Sequence, residues 1–202
     1  MLSTTDAIVL SLQPHSDTAH VLHAYTRAGG RVNYRVYGLG RRHPIGLYTP
    51  LSLLHITADH SPSRPPTLKE ATPIGRPQAV TGAQPASLGI YKQTVALFIG
   101  EVLYNVLRHP MQDEPMFDFL METINELEQT EQPQNSHLSF LVGFAARLGF
   151  AINPDEHADL LNLPDTRTER QQQLRRLCAY FHEHVDTWSE PRSLEILMEV
   201  FD

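Results

Sequence analysis

Four arginines, two tyrosines and four glycines fill most of residues 29–42, Gly-Gly-Arg-Val-Asn-Tyr-Arg-Val-Tyr-Gly-Leu-Gly-Arg-Arg. Gly29 and Gly30 suit a turn, because glycine alone takes positive φ without strain. A strand over residues 31–37 follows, with side chains alternating between faces. Val32, Tyr34 and Val36 then point to a core, and Tyr34 is core rather than contact. Arg31, Asn33, Arg35 and Tyr37 form the opposite face, and Gly38 and Gly40 release the chain into Arg41-Arg42. Cations meet phosphates and a ring offers a stacking surface, so this pattern fits single-stranded nucleic acid. It also fits the solvated strand of a small barrel, the plainer reading of this stretch taken alone. As a nucleic-acid face, Arg31, Arg35, Arg41 and Arg42 contact phosphates, Arg27 sits at the rim and Tyr37 stacks on a base.

No other constellation competes. Gly38-Leu39-Gly40 lacks the helix and lysine of a phosphate loop. His182-Glu183-His184 looks like a metal fragment, but positions two apart on a helix do not share a face. Asp155-Glu156-His157-Ala158-Asp159 reads as a solvated acidic loop. His15, His20, His23 and His43 flank the basic region and would add charge below about pH 6.5. Cys178 is the single cysteine, which excludes an internal disulfide and any zinc site with two thiolates. It lies on an apolar helical stripe, as a buried thiol does. Neither a Ser/His/Asp set nor paired carboxylates stand at a usable spacing, so no residues support a hydrolytic enzyme.

The elements that must position the basic face are short strands. Residues 6–12 form the first, with Ile8, Leu10 and Leu12 on one face and Pro14 ending it. Residues 19–26 form the second, 31–37 the third, 51–57 the fourth and 68–74 the fifth. Residues 41–48 and 59–66 are loops. Five strands without helical periodicity imply a small barrel. Residues 75–89, with two prolines and three glycines, read as a boundary.

Beyond it the period becomes helical. Tyr91, Val95, Phe98, Val102 and Val106 mark one helix, stopped by Pro110. Asp113 caps a second, with Phe117, Leu120, Met121, Ile124 and Leu127 inward. Ser136 caps a third, ended by Gly149. Residues 152–164 look irregular and acidic. Thr166 with Glu169 makes a capping box for a fourth helix. Ser189 caps a last one bearing Leu194, Leu197, Met198 and Phe201. The fold class is α+β, with a barrel over residues 1–78 and an all-helical domain of about five helices over 79–202.

The net charge is −7, unevenly spread. Residues 1–80 hold eight Lys/Arg and four Asp/Glu, whereas 81–202 hold eight and 19. Such asymmetry points to two units with different partners. No apolar run approaches the ~18 residues of a membrane helix, and no secretory signal opens the chain. The expected compartment is the cytoplasm.

Several stretches, in order, resemble the RecO family of bacterial recombination mediators. They are Ala7-Ile8-Val9-Leu10, Ser16-Asp17-Thr18, Gly30-Arg31-Val32 leading to Arg41-Arg42, Pro50-Leu51-Ser52-Leu53-Leu54 and Lys69-Glu70-Ala71. Downstream come Glu101-Val102-Leu103-Tyr104, Phe117-Asp118-Phe119-Leu120, the Gly149-Phe150 helix end before Asn153-Pro154, and Arg192-Ser193-Leu194. The resemblance implies a five-stranded OB-fold barrel followed by a helical domain. It implies binding to single- and double-stranded DNA, annealing of strands coated by single-strand-binding protein (SSB), and work with RecR to load RecA. It also implies nucleoid association, no nucleotide cofactor, and an SSB-tail contact in the helical half, for which Lys92, Arg108 and Arg147 are the basic candidates. Many members carry a four-cysteine zinc site after the helix ending near Gly149; residues 150–177 here have no cysteine, so no zinc is expected. The acidic helical half confines the expected DNA contacts to the barrel. The alternative is a non-catalytic interaction module whose barrel binds RNA or a protein partner.

Overall fold

The β2–β3 hairpin is the part of the fold closest to its sequence pattern. In the computed structural model, which describes residues 1–61, 63–74 and 86–200 with helical side chains from residue 89 onward, β2 (Ala19–Thr26) and β3 (Gly30–Tyr37) pair antiparallel from Ala19↔Tyr37 to Thr26↔Gly30. Tyr34 and Val36 are buried, and Asn33 and Tyr37 are exposed, as the alternation requires. The other strands are β1 (Leu2–Ser16), β4 (Leu53–Ser61) and β5 (Arg64–Pro73). The order β1-β2-β3-β5-β4 closes into a barrel, the OB arrangement. Closure depends on a parallel contact of β3 with β5 at Arg35↔Thr67.

Three strand expectations need correction. β1 continues through Pro14, because its pairing with β4 stops at Ile8 while its pairing with β2 runs on to Ser16. A proline on a flank that needs no N–H is tolerated. Within β1 the inward residues are Ala7 and Val9, not Ile8 and Leu10. A bulge between Val9 and Ser11 shifts the alternation, so Leu12 still packs on the core. Ile8 and Leu10 are buried outside that cluster. β4 starts later than expected and β5 earlier, so residues 59–66 are largely arms of the β4–β5 hairpin, with Pro65 and Pro66 beside a register shift.

Among the described residues six α-helices follow: α1 (Ala86–Val106), α2 (Glu114–Gln129), α3 (Ser136–Arg147), α4 (Pro154–Leu161), α5 (Arg167–His184) and α6 (Ser193–Val200). Residues 75–85 of the expected boundary, and Phe201, lie outside the described residues. Asp113 caps α2, its Oδ1 accepting from the Met116 N–H at 2.9 Å. The Thr166–Glu169 capping box on α5 is complete. Gly149, at φ +91°, ends the α3 turn.

Residues 152–164 are not irregular throughout: Asn153 Oδ1 accepts from the Asp155 N–H at 3.1 Å and Pro154 opens α4. Ser136 is not a cap, because a 3-10 turn at Pro133–Asn135 runs directly into α3. Nor does Ser189 cap α6. That helix begins at Ser193, whose N–H and Oγ donate to Glu101 Oε2 at 2.9 and 2.6 Å. A carboxylate from a distant helix thus supplies the anion that a helix N-terminus favours.

The chain divides into two compact units, one of Met1–Thr81 with Leu107–Met121, the other of Gly82–Val106 with Glu122–Asp202. Leu22, Tyr34, Val36, Leu54, Ile56 and Leu68 centre the barrel core. The helical unit is built on Phe98, Leu103, Leu141, Phe144, Leu177 and Phe181, with Phe144 stacked on Phe140 and Phe181. Among the described residues no helix is long and apolar enough to cross a membrane.

Candidate nucleic-acid interface

The outer face of β3 divides into two ends with different surroundings. At its start, Gly30 takes φ +61° and lies so close to the Met111 backbone that a Cβ there would collide with it. Thr26 Oγ1 donates to the Gly30 carbonyl at 3.1 Å and accepts from the Gly29 N–H at 3.1 Å. The Arg31 N–H donates to the His109 carbonyl, and its guanidinium to the Leu107 carbonyl at 3.2 Å. Arg27 pairs with Asp118 at 2.7 Å and lies 4.4 Å from the Phe117 ring centroid. Arg27 and Arg31 therefore have partners in residues 107–121 of the same unit.

The far end is open. Tyr37 is 43% exposed, and Arg41 and Arg42 are exposed. Among the described residues, no salt bridge involves Arg35, Arg41 or Arg42. The loop that carries the arginine pair is tightly built. Gly38 and Gly40 take φ +74° and +82°, and the Arg41 and Arg42 N–H groups donate to the Gly38 carbonyl at 3.1 and 2.9 Å. The Gly40 N–H donates to the His43 carbonyl at 2.8 Å. Behind the loop, His43 Nδ1 and the Tyr48 hydroxyl are 2.9 Å apart and buried. Tyr48, in a 3-10 turn at Ile45–Tyr48, belongs to the barrel core, with Leu39 and Leu47 against it.

The histidines add less charge here than their number suggests. Burial lowers the pKa of His23, and Arg31 adds to this while the 2.7 Å contact with Asn33 Oδ1 opposes it. Burial, then Arg42, lowers that of His43. Both favour the neutral ring. Burial pushes the Tyr34 and Tyr48 hydroxyls up to about 12.

Barrel closure supplies a cation that no local pattern reveals. Lys69 is exposed at a register shift of β5, unpaired between Leu68, which pairs with Ala58, and Glu70, which pairs with Thr57, and it lies two residues beyond the Arg35↔Thr67 contact. Arg64, on the same strand, is also exposed. Their charges, after the tie to the N-terminal amine at 3.1 Å, help hold the Asp59 carboxyl below its usual range.

In the helical unit, Lys92 is 4% exposed and its Nζ donates to the Glu128 carbonyl at 2.6 Å. Burial lowers its pKa, while Glu128 and Glu131 pull it back. Arg147 is exposed in the last turn of α3, and Arg108 is exposed in the barrel's own unit. The sequence reading missed a cleft where Arg167 and Arg170 border Leu174, Leu197 and Met198. It forms only when α5 and α6 come together, with Arg167 and Gln171 both donating to the Met198 carbonyl.

The Cys178 thiol is buried and pushed up to about 12, first by burial and then by Glu190, which disfavours a metal-ligating thiolate there. Among the described residues no group of three His, Cys, Asp or Glu side chains is placed to hold a metal.

Residues 88–188 match the family model described as recombination protein O C terminal. A protein named DNA repair protein RecO from Phocaeicola vulgatus is 31% identical over 164 residues, 79% of this chain and 66% of that relative. The protein of the same name from Porphyromonas gingivalis is 30% identical over 155 residues, 74% of this chain and 61% of that relative. The matched stretch thus spans less than two thirds of either relative. A third, from Christiangramia forsetii, is 25% identical over 244 residues and covers both chains completely.

Proposed function

The chain belongs to the RecO family, and from that premise we propose that it is a DNA repair and recombination protein whose barrel binds DNA at the open end of β3. The observation that carries this reading is the loop at Gly38–Gly40, pinned to the barrel core, which holds Arg41 and Arg42 in solvent beside exposed Tyr37. A preordered cationic loop loses little freedom when phosphates bind. Arg35 and Lys69 extend the cationic face along the barrel wall. Arg27 and Arg31 join it when they exchange their contacts with residues 107–121 for phosphates.

In this reading the protein is a non-catalytic mediator. It binds single and double strands, anneals complementary strands coated by SSB, and acts with RecR to load RecA. The acidic, apolar tail of SSB lies on the surface of the helical unit where Arg167 and Arg170 border Leu174, Leu197 and Met198. Lys92 is less suited because it is buried; Arg167 and Arg170 also donate to backbone carbonyls, but Arg167 is exposed.

The test is annealing of complementary oligonucleotides, followed by loss of a fluorophore–quencher separation. The natural chain accelerates annealing; a variant with Arg35, Arg41 and Arg42 changed to Gln does so at least about tenfold less. Equal acceleration by the variant places the DNA elsewhere. No acceleration by either protein favours the interaction-module alternative.

A further inference from the structure

Ile45 stands out because its exposure is imposed by the fold. It is 62% exposed, yet Leu47 and Tyr48 in the same 3-10 turn pack on the barrel core. The Leu47 N–H donates to the Pro44 carbonyl at 3.1 Å, which closes that turn behind Ile45. The tip of Ile45 comes within 4.0 Å of where a side chain at Gly40 would begin, and the stem of Arg42 lies 3.7 Å from the same point on Gly38. Two glycines therefore form a floor on which a cation and an aliphatic side chain both rest. Tyr37, the exposed last residue of β3, directly precedes Gly38.

We propose that Ile45 and Tyr37 are the base-contacting pair of this site, receiving unstacked bases while Arg41 and Arg42 hold the phosphates, so that the loop selects unpaired over paired strands. This rests on the DNA-binding reading above and deepens it. The two kinds of contact distinguish two states of DNA. Phosphates are available to the arginines in both a single strand and a duplex. Base faces are available to Tyr37 and Ile45 only where stacking is already broken. Tyr37 offers an unstacked base a stacking surface while cations track the backbone, and the exposed Ile45 adds apolar area that a base can cover. Arg41 and Arg42 thus set strength and salt dependence, whereas Tyr37 and Ile45 set the preference for a single strand. The favourable charge of the loop commits the occupant to a polyanion, and the apolar pair commits it to one with accessible bases.

The experiment measures affinity of the whole chain for a labelled single strand of about 30 nucleotides and for the duplex of the same sequence, at one salt concentration. Ile45→Ser is compared with Tyr37→Leu and with Arg41→Gln/Arg42→Gln. Ile45→Ser and Tyr37→Leu each weaken single-strand binding by about fivefold or more, within the range for a lost base contact, and leave duplex binding within about twofold. The arginine variant weakens both. A 2-aminopurine in the single strand brightens on binding the natural chain and brightens less with Ile45→Ser. If Ile45→Ser weakens both DNAs equally, or neither, while the arginine variant still weakens both, the inference is overturned and the DNA-binding reading stands. If the natural chain binds no DNA, both fall.

Discussion

Arg27 and Asp118 face each other at 2.7 Å, and the same guanidinium lies 4.4 Å from the Phe117 ring centroid. Phe117 in turn stacks near Tyr25 of β2, with centroids 6.4 Å apart. An arginine that composition offers to DNA thus already holds an internal partner. Asp118→Asn removes the competing carboxylate. The pair is partly exposed, so its loss costs about 0.2–1 kcal/mol of stability. Single-strand binding strengthens, and its log–log salt slope steepens by about 0.7, one more phosphate contact. An unchanged slope in a salt titration would exclude Arg27 from the interface.

Gly30 is the point where backbone geometry leaves no choice of residue. Its φ of +61° and the adjacent Met111 backbone both exclude a Cβ. Gly30→Ala lowers stability by more than about 2 kcal/mol, because the left-handed strain alone costs about 1–2 kcal/mol and the collision with the Met111 backbone adds to it. Gly29→Ala meets only ordinary contacts, at 3.6 and 3.7 Å, and costs clearly less. Urea unfolding of the two variants checks the ranking.

The hairpin and its glycines are legible in the sequence because strand alternation and turn chemistry are local. The Asp113 cap of α2 and the capping box of α5 are legible for the same reason. What is lost is non-local. The extra residue at Leu10 shifts an apparently regular apolar alternation, and only pairing with β2 reveals it. Lys69 is brought near Arg35 through one parallel contact between strands about thirty residues apart. Asp118 beside Arg27, and Glu101 beneath Ser193, answer to no spacing rule. The missed helix α4 is different: Asn153-Pro154 is a start signal in plain view, masked by the acidic residues that follow it.

Glu101 serves two donors of Ser193, so its removal exposes the start of α6 to an unmet demand. Glu101→Ala costs about 1–3 kcal/mol, the usual penalty for stranding partly buried polar groups. Hydrogen exchange at the amides of Leu194 and Leu197 rises, while β3 amides in the barrel stay protected. Exchange unaltered in α6 would mean that packing of Leu194 and Leu197 alone holds it.

His137 gives the helical unit a dependence on pH. The ring is buried against Phe98, and burial, with Arg170 contributing, pushes its pKa down to about 3 from 6.5. The unfolded chain therefore binds a proton below about pH 6.5 that the folded chain refuses. Stability from the neutral ring is whole above pH 6.5 and declines as pH falls from there towards 3, by at most about 1.4 kcal/mol per unit. His23 and His43, also lowered, act with the same sign in the barrel. Urea midpoints at pH 7.5 and 5.0 register the loss, and His137→Leu reduces the difference between them. A midpoint independent of pH in the natural chain would contradict the burial assigned to these rings.

The central claim is that DNA phosphates meet the open end of β3. It is tested most directly by fluorescence anisotropy of a labelled single strand of about 30 nucleotides, titrated at several salt concentrations. The natural chain and the Arg35→Gln/Arg41→Gln/Arg42→Gln variant are compared. At about 0.7 per phosphate contact, the natural chain gives a log–log slope near −3 and the variant loses about 2 of it. Equal slopes, with equal affinity at each salt, would contradict the account and place the DNA away from this loop.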